Sequence, residues 1–282
     1  MIDRGYLIIA KTSDTVDYLA CARVLAKSLK LFHPTAHITL VTDGVEVDRV
    51  FDIVKPFYYP VDELTNPHAA DWQAYWCSPY HETIKLEADI IITAPIEHWW
   101  THFRQRELVI ATRCYDFRGQ RAASRKYRQV FDANHLPDTY NGITYWRRSL
   151  LAQEFFSLCS SLFVEWPEFS KSLTLGQQDP GTTDLIYACA AEILGREKTT
   201  LPNNAVGFVH MKPAINQLAQ EDWTRELVWE IGRDFVRINT LAQQYPLHYY
   251  IKSFAKEVEP IYDQLLGRSS AGTGADSPGA DL

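Results

Sequence analysis

Two carboxylates one residue apart close an apolar run at Leu86-Glu87-Ala88-Asp89, and downstream Val209-His210-Met211-Lys212-Pro213 sets a histidine two residues before a lysine. Between them lies Gln178-Asp179 through Thr183-Asp184. Carboxylates and an imidazole hold a divalent cation, and a cation together with a lysine neutralises a leaving diphosphate. The spacing therefore marks Glu87, Asp89 and His210 as candidate ligands of Mn²⁺ or Mg²⁺, and Lys212 as a candidate phosphate contact. The chemistry implied is transfer from a nucleotide-activated substrate. An acid-x-acid triplet is common on surfaces by chance. This one is flanked by Ile84, Leu86, Ile90, Ile91 and Ile92, and buried carboxylates that share a strand face need a common partner.

The elements that must carry these residues read as α/β. Tyr6 to Ala10 is a short apolar run suited to a buried parallel strand, followed by the polar turn Lys11-Thr12-Ser13-Asp14. From Val16 to Leu29 apolar residues recur at three- and four-residue spacing, which predicts a helix, and His37 to Thr42 is the next strand. In such a βαβ unit the loop after the first strand is where ligand binds. Further strands are expected at 51–55, 83–86, 107–112 and 207–210, a turn entering a strand at 141–146, and helices at 150–163 and 183–194. Beyond Gln217 the pattern predicts a mostly helical extension over 218–267. Residues 268–282 hold no large apolar residue before the terminal Leu282 and are expected to be a disordered tail. The catalytic domain would thus span 1–217.

Composition is that of a soluble enzyme. The chain has 282 residues, enough for a sizeable core. No stretch approaches the roughly 18 apolar residues of a membrane span, and the N-terminus lacks a signal-peptide pattern. Five scattered cysteines without a C-x-x-C pair fit reduced thiols, so a cytoplasmic setting is expected. A net charge of −7 argues against a surface built wholly for nucleic acid.

The segment Tyr80 to Thr93 with Pro95-Ile96-Glu97-His98-Trp99-Trp100 resembles the Asp-x-Asp region of GT-A fold glycosyltransferases, within them the glycogenin-like family 8 branch. Glu87 here replaces the first Asp. Other segments match in the same order. Tyr6 to Thr12 with Asp17-Tyr18 resembles the first strand and nucleotide-binding loop, and Tyr140-Asn141-Gly142-Ile143 the stretch that touches donor sugar or acceptor. Asp184 falls near the acid of an Asp-Gln-Gly motif, and His210 to Pro213 resembles a shortened His-x-x-Gly-x-x-Lys-Pro. The likeness covers roughly residues 6–213. It implies a mostly parallel Rossmann-like sheet, a nucleotide-sugar donor (a UDP-sugar), and retention of anomeric configuration. It also implies donor contacts from Ala10, Lys11, Thr12, Asp17, Tyr18, Glu87, Asn141, Gly142 and Lys212. In retaining transferases a carboxylate or amide stabilises the anomeric carbon. Gln178, Asp179 and Asp184 are the candidates, among which the sequence does not choose. Asp184 also reads as a helix-start acid behind a Thr182 or Thr183 cap.

Ser78-Pro79-Tyr80-His81-Glu82-Thr83, Phe117-Arg118-Gly119 and Leu136-Pro137-Asp138-Thr139-Tyr140 are similar to glycosyltransferases encoded by tailed phages, some relatives of which modify DNA bases. Arg113, Arg118, Arg121, Arg125, Lys126 and Arg128 stand against only Asp116 in that interval. A helix over 120–131 would align Arg121, Arg125 and Arg128 on one face. Arg118, Arg121 and Arg125 are accordingly candidate acceptor contacts, on phosphate or on modified duplex DNA. A plain solvated face is the alternative. Other readings are a nucleotidyltransferase, although Lys11 to Asp14 lacks the usual glycines, and a catalytically inactive binding module.

Overall fold

In the computed structural model, which describes residues 1–46, 48–61, 69–123, 126–201, 206–213, 215–216 and 222–271, the side chains of β1 (Ile2–Ala10) are divided between two cores. Tyr6, Ile8 and Ala10 pack on one side and Leu7 on the other. A strand covered on both faces needs an uninterrupted apolar run, and this one has it. β2 (Ile38–Thr42), β3 (Ile53–Lys55) and β4 (Tyr80–Glu87) join it in parallel. After β5 (Ile90–Ile91), β6 (Leu108–Ala111) and β7 (Cys114–Tyr115), β8 (Tyr140–Arg147) inserts antiparallel between β4 and β6. The six-stranded order is β3-β2-β1-β4-β8-β6. The result is a mostly parallel sheet with helices on both faces, as expected.

The Leu150–Val164 and Thr183–Leu194 helices cover one face. On the other lies the Tyr18–Phe32 helix, against which the final helix, Phe254–Ala271, packs. That side also carries a second sheet. β9 (Phe208–His210) sits in it beside β7, and β10 (Trp229–Ile231), β11 (Val236–Ile238) and β12 (Leu241–Ala242) form a small antiparallel sheet of their own. β13 (Leu247–His248) then completes the order β5-β13-β9-β7.

Two expectations need correction. The 218–267 segment is not a helical extension. It holds one turn of helix at Trp223–Glu226, the β10–β12 sheet and β13 before the last helix. Three-residue strands are too short for periodicity to separate from helix. Nor does one helix span 120–131. Lys126–Arg128 is a single 3₁₀ turn leading into the Gln129–Ala133 helix, and Arg121 bridges Tyr115 as strand. Backbone helix continues to Ala271, and residues 272–282, the rest of the expected tail, lie outside the described residues. All five cysteines are free and buried. Among the described residues no helix is long and apolar enough to cross a membrane.

Candidate active site

The parallel register sets Ile9 of β1 beside Glu87 of β4, so both strands end together and the loop after Ala10 opens beside the acidic triplet. This is the strand-end crevice where open α/β sheets take ligands. From Glu87 the chain turns through Ala88-Asp89 into β5, and β13 pairs antiparallel with β5 so that His248 faces Ile90. The Tyr249 N–H donates to the Asp89 carbonyl at 3.1 Å, locking that corner. His248 Nε2 thereby lies 3.0 Å from Asp89 Oδ1 and 3.6 Å from Glu87 Oε2.

One ligand atom from each of Glu87, Asp89 and His248 lies within 4.8 Å of the others. A cation about 2.1 Å from each ligand sets its ligand atoms at most ~4.2 Å apart, so a small inward movement closes the site around Mn²⁺ or Mg²⁺. The two carboxylates of the donor set suit either ion. The Lys252 ammonium pairs with Asp89 Oδ2, and its Nζ also donates to the Tyr249 carbonyl at 3.1 Å.

Burial sets the electrostatics. Glu87 is pushed up to about 7, chiefly by burial and further by Asp89, with His248 and Lys85 opposing. Burial acts on Asp89 in the same sense, but His248 and Lys252 outweigh it and hold that carboxyl below its usual range. His248 is raised: burial disfavours its cation, and Asp89 more than compensates. His210 is lowered, first by burial and then by the neighbouring His248.

A cleft of about 560 Å³ runs from Lys11, Thr12 and Tyr18 past Asn141, Glu87 and Asp89 to Lys212, His248 and Lys252. That is within the usual size of small-molecule sites. The Thr12 N–H is fixed by Asp43 Oδ1 at 2.7 Å, and Asp17 caps the Tyr18–Phe32 helix through the Ala20 N–H at 2.9 Å. A side cavity of about 170 Å³ lies beyond Glu87 and His248, lined by Tyr140, Gly142, Asp184 and Phe208. A Cβ on Gly142 would meet Phe208 Cζ at 3.3 Å and Glu87 Oε2 at 3.5 Å, so glycine keeps that carboxylate oxygen approachable. Asp184 is fully engaged: Arg128 Nη2 donates to its Oδ2 at 2.8 Å and the Asn141 N–H to its Oδ1 at 2.7 Å.

The expected third ligand is displaced by one strand. His210 pairs in register with His248, and the two rings stack at 4.4 Å with 17° between planes. It is His248 that meets the carboxylates. Lys212 lines the cleft with its Nζ 4.7 Å from the Tyr127 ring centroid. Of the three candidate catalytic residues, Asp184 alone lines one of these two cavities. Asp179 turns back to accept from the Gly181 and Thr182 N–H groups, and Gln178 is exposed on a 3₁₀ turn. The basic run divides. Arg128 is buried against Asp184, Arg118 pairs with buried Asp116 at 2.7 Å, Arg121 is exposed, and Arg125 lies outside the described residues. Arg128, turned inward onto Asp184, is therefore withdrawn from the face it was expected to share with Arg121 and Arg125. His248 and Lys252 were the residues that sequence reasoning missed. The available signal was a second His followed by Lys, at a spacing of four, after Pro246-Leu247.

No protein-family model matches the chain, and no curated protein matches its sequence. Solved structures do. A galactosyltransferase, LgtC, in complex with donor and acceptor sugar analogues is similar at 12% identity and a TM-score of 0.53, covering 94% of this chain and 95% of that one. An active-site mutant of LgtC gives 12%, 0.51 and the same coverage. The fold is thus that of GT-A-type glycosyltransferases.

Proposed function

We propose that this chain is a divalent-metal-dependent glycosyltransferase that moves a sugar from a UDP-sugar donor to an acceptor hydroxyl with retention, as family 8 enzymes do. The observation that carries this reading is the meeting of Glu87, Asp89 and His248 at the ends of β4 and β13, in a cleft that Lys252 also lines. The three residues fit Mn²⁺ or Mg²⁺, and would hold it where the cleft takes the diphosphate. When bound, the cation supplies positive charge against the departing nucleotide diphosphate. Lys252 and Lys212 add donors to the phosphates. Lys11, Thr12, Asp17 and Tyr18 seat the nucleoside beside the strand end. Asp184, oriented by Arg128 and the Asn141 N–H, presents a fixed carboxylate at the side cavity, where it stabilises positive charge at the anomeric carbon. Fixed charge of this kind is usually the largest catalytic contribution.

A thermal-shift series with UDP and UDP-sugars, with and without Mn²⁺, tests the reading. At 100-fold excess over Kd a ligand stabilises by about 2.7 kcal/mol. The expected result is stabilisation of the wild type that requires metal and disappears in Asp89→Ala. A wild type indifferent to every nucleotide sugar in the presence of Mn²⁺ or Mg²⁺ would end the proposal.

A further inference from the structure

We infer that Lys85, with Asp71 as its counter-ion, is a positioning residue for Glu87, acting through the side-chain amide of Asn141. The inference rests on the metal reading given above and concerns Lys85 and Asp71, to which that reading assigns no part.

β4 alternates Thr83, Lys85 and Glu87 on one face with Ile84 and Leu86 on the other. Lys85 is 1% exposed, in the middle of a sheet covered on both sides. Its Nζ donates to Asp71 Oδ2 and to Asn141 Oδ1, each at 2.6 Å, and Tyr187 donates to the same Asp71 oxygen at 2.8 Å. The other end of the amide, Asn141 Nδ2, donates to Glu87 Oε1 at 3.0 Å. As a bare ion pair this arrangement would be a poor use of the interior, because burying two charges costs more than their attraction returns in many proteins.

The amide gives the pair a purpose. An ammonium only donates, so the Asn141 atom facing Lys85 must be oxygen. The NH₂ group is then obliged to face Glu87, and a carboxylate only accepts. Lys85 thus fixes the amide's direction, and the amide fixes one oxygen of Glu87. The other oxygen, Oε2, is left toward His248 at 3.6 Å. A glutamate has one more rotatable bond than an aspartate, so a ligand of this length gains most from being held by one oxygen. Remove the ammonium and the amide is free to turn its oxygen toward Glu87, repelling the ligand it now holds. The Asn141 backbone N–H meanwhile holds Asp184, so the same residue joins the metal-facing and sugar-facing carboxylates.

The test is Mn²⁺ binding by isothermal titration calorimetry on the full chain, without substrate. Partners that orient a metal ligand are typically worth 10–100-fold in metal affinity. Lys85→Met combined with Asp71→Asn removes both charges together, and a loss of at least about tenfold is expected. Asn141→Ala is expected to give a similar loss. The specific readout is the double-mutant cycle. If Lys85 acts through Asn141, neutralising the pair in the Asn141→Ala background costs nothing further, whereas a merely structural pair gives additive losses. Lys85→Gln with Asp71→Asn serves as the neutral pair if the first does not fold. Wild-type affinity in a folded neutral pair, or additive losses, overturns the relay while leaving the metal site standing. Absence of Mn²⁺ binding by the wild type, with Asp89→Ala no different, overturns the metal reading and the relay with it.

Discussion

Glu87→Gln should make the metal-free protein more stable at neutral pH and no more stable in acid. Glu87 is raised from 4.5 to about 7 in the folded state. Between those values the native state holds a proton that the unfolded chain has released, so stability falls as pH rises through this window. A raised carboxyl therefore costs stability above the window and nothing below it. The rise from 4.5 to about 7, at about 1.4 kcal/mol per pH unit, sets an upper limit of ~3.5 kcal/mol. His248 works in the same direction. Its raised value contributes stability that is present in acid and lost as pH climbs through its folded pKa. Asp89, held low, contributes stability throughout the neutral range and loses it only in acid, as pH falls below the usual carboxylate range. Melting in EDTA from pH 4.5 to 8 is the assay. For a chain of 282 residues ~3.5 kcal/mol corresponds to about 6 °C. The wild-type and Glu87→Gln midpoints should coincide near pH 4.5 and separate above pH 6, the variant melting higher. Parallel curves across the whole range would show that the carboxyl is not desolvated as the cleft requires, and the reasoning would fail.

Two further outcomes follow from the same geometry. His248→Ala should weaken Mn²⁺ binding by more than the ~100-fold upper range seen for supporting groups, and His210→Ala by about tenfold or less; calorimetry that reverses this order would restore His210 as the ligand. Arg128→Met should destabilise by about 3 kcal/mol, the low end for breaking a buried pair, because Asp184 keeps 34% side-chain exposure while Arg128 keeps 2%; a loss below about 1 kcal/mol in urea unfolding would show that the pair is not holding Asp184.

What could be read from the chain was whatever local pattern decides. β1, β2, β4 and the helix from Tyr18 follow from apolar runs and period, and the strand-end position of Glu87 and Asp89 follows from the run that precedes them. His248 could not be found this way. Its strand is two residues long and exists because β5 and β9 hold it on either side. His210 came within one strand of the correct position because β9 and β13 run parallel in register, which brings both histidines to the same depth. Arg128 departs from the expected basic face for a related reason. The charge pattern of the run is local, but the fate of Arg128 is set by Asp184, 56 positions away, and no spacing rule encodes that pairing. Asp184 itself read equally as a helix-start acid and a catalytic group. It does stand in the first turn of the Thr183–Leu194 helix, and its carboxylate oxygens also accept from Arg128 and the Asn141 N–H, a use that only the folded chain reveals.

The departure at Glu87 bears on whether the cleft is in use. Lengthening an aspartate by one methylene pushes its carboxylate further into the cleft, and the surroundings accommodate it at both oxygens. Asn141 holds Oε1, and the missing Cβ of Gly142 leaves space 3.5 Å from Oε2. Neither feature helps the fold. A carboxyl desolvated beside Asp89 costs free energy, a glycine in a strand interior weakens it, and a buried lysine is needed to orient the amide. A module without chemistry would be more stable with glutamine at 87. Carrying these costs together, around a histidine delivered by a separate strand, is what the proposed cation site would require and an idle cleft would not.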